Sequence, residues 1–143
     1  MSDLYDTDIV AWSEEQAARL RRVAAAERLN EASPDWPNII EEIESVGRNE
    51  LRATQSLLVQ ALRHRLKIMA WPDSAEVPHW REEMIVFQFE AAQAYQASMR
   101  QRIDMAWIYR SARRRFPQQI DGRPPLPLPE TCPVTLDELL AET

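Results

Sequence analysis

Glycine is almost absent from this chain: its 143 residues include two, Gly47 and Gly122. Sheet proteins spend glycine at hairpin turns, and here no Asn-Gly or Asp-Gly pair lies between alternating apolar residues; Asp121-Gly122 falls in a proline-rich stretch. Helices are left. Cysteine is scarcer still. Cys132 stands alone, which excludes an internal disulfide and a Cys-built zinc site and suits a reducing compartment. Two histidines, His64 and His79, cannot build a three-His metal site, and there is no glycine-rich phosphate loop. Lys67 is the only lysine, so Schiff-base chemistry has one candidate. Positive charge is in deficit, 17 Lys and Arg against 23 Asp and Glu for a net charge of −6, which argues against general affinity for nucleic acid or an anionic membrane. No apolar run approaches the ~20 residues needed to span a bilayer, and the opening Met-Ser-Asp-Leu-Tyr-Asp-Thr-Asp is acidic rather than basic. The expectation is a soluble, cytoplasmic, all-α protein, one domain over residues 1–143, with no cofactor.

What is present is helical periodicity. Asp6, Thr7 and Asp8 offer N-caps to a first helix whose stripe is Ile9, Trp12, Gln16, Leu20, Val23 and Ala24. Residues 30–37 form a connector, with Asp35 as the next N-cap and Pro37 tolerated in the first turn. From Ile39 a stripe runs through Ile43, Val46, Leu57, Leu58, Ala61, Ile68 and Met69. Either one helix reaches about Met69 or two collinear pieces meet at Gly47. Glu50 falls within the apolar face, where an arginine from another helix is its expected partner. Trp71-Pro72-Asp73 closes the element, and residues 72–79 read as loop. A third helix carries Trp80, Met84, Phe87, Ala91, Ala94 and Tyr95 on one face and Ile85, Phe89 and Ala92 on another. A helix apolar on two sides is central in its domain or shared with a partner, and a two-fold homodimer is the commonest such arrangement. Ser98 to Gln101 has the form of a capping box opening a fourth helix toward Phe116, unless the third simply continues. Arg113, Arg114 and Arg115 suit a solvated last turn. Residues 117–133 hold six prolines and should wrap as an extended strap, with Leu126 and Leu128 docking on the bundle or the segment serving as a ligand for another protein. Thr135 to Glu138 is a second capping box, opening a short terminal helix.

Several of these segments carry a family resemblance. Tyr5-Asp6-Thr7-Asp8, Trp12, Glu15-Gln16-Ala17-Ala18 and the run Asn38-Ile39-Ile40-Glu41-Glu42-Ile43-Glu44-Ser45-Val46-Gly47-Arg48 resemble the two opening signatures of a bacterial family known as domain of unknown function twenty-nine. Leu62, His64, Leu66-Lys67, Trp80-Arg81 and Cys132-Pro133-Val134-Thr135-Leu136 are similar too. The likeness covers almost the whole chain and is looser between Val86 and Arg115. It implies an all-helical fold and no known activity. One departure is that family members tend to carry Lys-Trp after the histidine, where this chain has Lys67-Ile68 and the tryptophan at Trp71.

Glu41, Glu42 and Glu44 also resemble the first acidic motif of the all-helical nucleoside triphosphate pyrophosphohydrolases, whose carboxylates on facing helices hold magnesium. A second cluster of matching spacing is missing, since Glu82-Glu83 and Glu90 do not supply it. The plainer expectation pairs Glu41 and Glu44 with arginines, Glu44 with Arg48. Glu42, His64 and Lys67 share the shoulder of the long stripe as candidates for acid-base chemistry. In a straight helix, however, Glu42 and His64 are ~33 Å apart. The reading is a helical protein-interaction or regulatory module, expected to form a homodimer and to meet an unidentified protein partner, rather than an enzyme; the alternative is a small carboxylate- and magnesium-dependent hydrolase.

Overall fold

The computed structural model describes residues 3–141; the two residues at each end of the expected 1–143 domain lie outside the described residues. The order is α1 (Leu4–Thr7), α2 (Ile9–Ala26), α3 (Trp36–Ala70), α4 (Val77–Ala94), a 3₁₀ turn (Ala97–Gln101), α5 (Met105–Arg113) and α6 (Leu136–Leu140). No strand occurs among the described residues, and the fold is all-α. The chain forms two compact units, one of residues up to Ala53 with Gln96–Arg102, the other of Thr54–Tyr95 with residues from Ile103 onward.

In the first unit, Asp8 turns extended (φ −154°, ψ 84°) and separates α1 from α2. Its carboxylate accepts from the Ala11 amide at 3.0 Å, so of the three expected caps it is Asp8 that opens α2. The buried residues of α2 are Val10, Ser13 and Ala17, one step round from the expected stripe, and Val23 is 53% exposed. The cause is close packing. An added Cβ at Gly47 would overlap Ser13 Oγ and come within 3.3 Å of Val10 Cα, so small residues mark the α2–α3 contact. Trp12, from the expected stripe, is half-buried and packs edge-on against Tyr5 at 5.0 Å. Asp35 caps α3 through the Asn38 amide at 3.4 Å. Glu50, about 60° round the helix from Gly47, is exposed rather than set in the apolar face. The 3₁₀ turn packs on α2 and buries Met99 completely.

α3 is continuous through Gly47. In the second unit its residues Leu58, Ala61, Leu62 and Leu66 form a core with Ala91, Ile108, Tyr109, Val134 and Leu139. A smaller cluster joins Ala70, Trp71, Val77 and Trp80, with Trp71 stacked on Phe116 at 5.5 Å. α4 starts at Val77, inside the expected loop, because Pro78 occupies its first turn, where a missing N–H costs nothing. It ends at Ala94. Ser98 opens no α-helix; α5 is capped instead by Asp104, which accepts from Ala106 N at 2.9 Å. Nor does that helix reach Phe116, since Arg115 takes a left-handed conformation (φ 54°). Arg63 supplies what α5 needs at its end, donating to the carbonyls of Ala112, Arg114 and Arg115 at 2.8–3.0 Å. Residues 117–133 carry no helix. Asp121 and Gly122 both have positive φ and make a two-residue turn closed by paired Ile120–Arg123 backbone bonds, so the Asp-Gly signal does mark a hairpin, one bridge long. Thr135 Oγ1 accepts from Glu138 N at 3.1 Å and opens α6.

Candidate functional site

The acidic motif lies on the first half of α3. Glu41 and Glu42 are exposed and Glu44 is half-buried. Glu44 pairs with Arg21 of α2 and Arg48 with Glu41, two turns back on the same helix, which replaces the expected Glu44–Arg48 pair because Arg21 reaches across from α2. Beside them a cleft of about 210 Å³ is lined by Val10, Ser13, Glu14, Glu44, Gly47, Arg48, Leu51 and Arg102. Each carboxylate lining it already has a guanidinium, Glu14 that of Arg102. Exposed pairs of this kind contribute ~0–1 kcal/mol each. Among the described residues no three His, Cys, Asp or Glu side chains are grouped to hold a metal ion.

A second polar assembly in this unit went unread in the sequence. Asp8 is 7% exposed. Besides capping α2 it accepts from Ser98 N at 2.8 Å and Ser98 Oγ at 2.6 Å, while Val10 N donates to Gln96 Oε1 at 3.2 Å. Burial alone would raise its pKa, but the hydrogen bonds from Ser98 and from the Ala11 and Val10 amides outweigh burial and hold it below its ordinary 3.8. The only sequence signal was the serine of the apparent capping box.

His64 and Lys67 share the second half of α3. His64 Nδ1 lies 2.7 Å from the Gln60 carbonyl, which can only accept, so Nδ1 carries the proton in the neutral ring; Phe87 packs 5.4 Å away. Burial lowers the pKa of His64; the Gln60 hydrogen bond opposes this, Lys67 adds to it and Glu83 opposes it. Lys67 is lowered by burial and then by Arg63. Glu42 and His64 belong to one uninterrupted helix, without the break that their expected meeting within the chain requires.

α4 buries Val77, Trp80, Met84, Gln88 and Ala91 on one side. Gln88 fastens that side to α6, its Nε2 donating to the Leu139 and Ala141 carbonyls, both at 3.1 Å. On the other side Phe89 is 49% and Val86 46% exposed, flanked by the half-buried Ile85 and Ala92. Val86, three residues before Phe89 and so its neighbour on the helix surface, joins the expected Ile85, Phe89 and Ala92 on this face.

An all-α chain of this size, with an exposed apolar pair on one face of α4, falls among small helical proteins. More particularly, it belongs to the family Domain of unknown function DUF29, whose model matches residues 4–143. It is similar to an alpha-helical protein of unknown function from Rhodospirillum rubrum whose crystal structure superimposes with a TM-score of 0.83 at 28% identity, covering 99% of this chain and 92% of that one. No curated protein matches the chain. No described helix is long and apolar enough to cross a membrane.

Proposed function

We propose that this chain is a cytoplasmic protein-interaction module that acts as a homodimer, joined through the outer face of α4. The observation that carries the reading is the pair Val86 and Phe89, each about half exposed on a helix whose opposite face is already buried. Burying a phenylalanine contributes roughly 1.5–3 kcal/mol, so a wet face of this kind favours association. A second copy is the occupant because a two-fold contact places the same patch on itself, apolar against apolar. The lone cysteine supports the reducing compartment.

Light scattering with circular dichroism tests the proposal. The expected result is a dimer for the unaltered chain and a folded monomer for Phe89→Arg, whose site is open enough in the single chain to accept the charge. An unaltered chain that stays monomeric at high concentration ends the proposal.

A further inference from the structure

Residues 123–129 read Arg-Pro-Pro-Leu-Pro-Leu-Pro. Each proline holds φ near −65°, which draws the segment into a polyproline helix of three residues per turn. Exposure follows that period. Pro125 and Leu128 are half-buried, and Leu128 packs on both apolar clusters of the second unit; Arg123, Pro124, Leu126, Pro127 and Pro129 are exposed, Leu126 by 52%. The backbone is fastened at the same interval. The Arg123 carbonyl accepts from Trp71 Nε1 at 2.9 Å, the Leu126 amide donates to the Ala70 carbonyl at 3.0 Å, and the Pro129 carbonyl accepts from the Tyr109 hydroxyl. The backbone is thus held to the unit at Arg123, Leu126 and Pro129 and the Pro125–Leu128 row is half-buried, while the side chains of the other two rows, Arg123–Leu126–Pro129 and Pro124–Pro127, stay exposed.

We propose that this ridge is a built-in polyproline ligand for a partner domain with an aromatic-lined groove of the SH3 type. Such grooves take two adjacent rows of a three-fold helix, with Pro-x-x-Pro spacing on one row, as Pro124 and Pro127 supply here. The exposed Arg123 at one end sets the direction of docking against an acidic groove rim. Among the described residues no donor engages the carbonyl oxygens of residues 124–128, which leaves them for the groove's own donors. A free peptide must be ordered when it binds, whereas this ridge is ordered beforehand, so the intact chain holds an advantage over the same seven residues alone. The surface is separate from the α4 face, and the failure of one proposal leaves the other standing.

The test titrates the full chain into an isotope-labelled SH3 domain that binds Pro-x-x-Pro ligands and follows amide shifts. Expected are shifts confined to the aromatic groove, affinity at least equal to that of a peptide of residues 121–131, and a loss of about tenfold or more for Leu126→Glu with Pro127→Ala. Circular dichroism checks that this variant folds; Pro124→Ala, altering one exposed ring, replaces it if it does not. Absence of groove shifts at chain concentrations on the order of 1 mM, binding undiminished in the variant, or a peptide that binds while the intact chain does not, each overturns the proposal.

Discussion

Gly47 shows how one missing side chain sets a packing distance. Replacing it with alanine gains up to about 1 kcal/mol of helix propensity, yet the new methyl overlaps Ser13 Oγ, a fully buried hydroxyl that donates to the Val10 carbonyl at 2.8 Å and would give up that acceptor by swinging away. We expect Gly47→Ala to lower unfolding free energy by roughly 1–2 kcal/mol and Gly47→Leu by more. Adding Ser13→Ala should recover part of the loss, because the nearest remaining neighbours, Val10 Cα and Ser13 Cβ, lie at 3.3 and 3.4 Å. Urea melts of the two single variants and the double variant measure the coupling, and an alanine at 47 that stabilises the chain contradicts the contact. His64 offers a pH test at the same scale. Its pKa is lowered on folding, so the unfolded chain binds the extra proton first. Its contribution to stability is therefore whole above about pH 6.5 and is lost as pH falls from there through the folded value. His64→Gln should flatten stability against pH in that window, and an unchanged slope would show that other groups set it.

At the scale of elements, Asp8 accepts from the Ala11 amide and from both donors of Ser98, and its removal should loosen both the start of α2 and the 96–98 segment beside it. Asp8→Asn keeps a good N-cap but turns an NH₂ toward Ser98 donors, a mismatch worth roughly 1–3 kcal/mol. Since the pKa of Asp8 is held down, the stability it contributes is present above about pH 3.8 and fades as pH falls through the lower folded value. Acid unfolding of Asp8→Asn should lose that part of the slope, and a variant that tracks the parent across pH 2–5 would place the acid sensitivity elsewhere. This assembly also explains what could be read in advance. The helices themselves announced their presence through apolar spacing, and Thr135 capped α6 as its sequence suggests. The faces were harder. Ser13, Gly47 and Thr54 are neutral to a hydrophobic pattern, yet all three are buried, so the true contact line passed between the residues that look most apolar. Ser98 misled for a related reason: a hydroxyl that could cap its own segment serves an aspartate ninety positions away. Pro78 looked like loop but sits where a helix tolerates it.

For the whole molecule the open quantity is how many chains make the working particle, and unfolding thermodynamics reads it independently of hydrodynamic size. Phe89 was legible as part of a second apolar face, but whether another helix of the chain covered it was a matter of tertiary packing that no local pattern encodes; it is left 49% exposed. If that face joins two copies, unfolding releases two chains from one particle and mass action ties stability to protein concentration. Each tenfold rise then stabilises the dimer by about 1.4 kcal/mol, or about 0.7 kcal/mol per chain, and raises Tm by roughly 2 °C for a chain of this length. Calorimetry from low to high micromolar concentration should show that climb in the unaltered chain and a flat Tm in Phe89→Arg. Val86→Arg, on the same face three residues earlier, should also flatten it, whereas an arginine at exposed Leu29 in the first unit should not. A Tm independent of concentration in the unaltered chain, or a climb that survives both α4 substitutions, would mean that α4 is not where the copies meet.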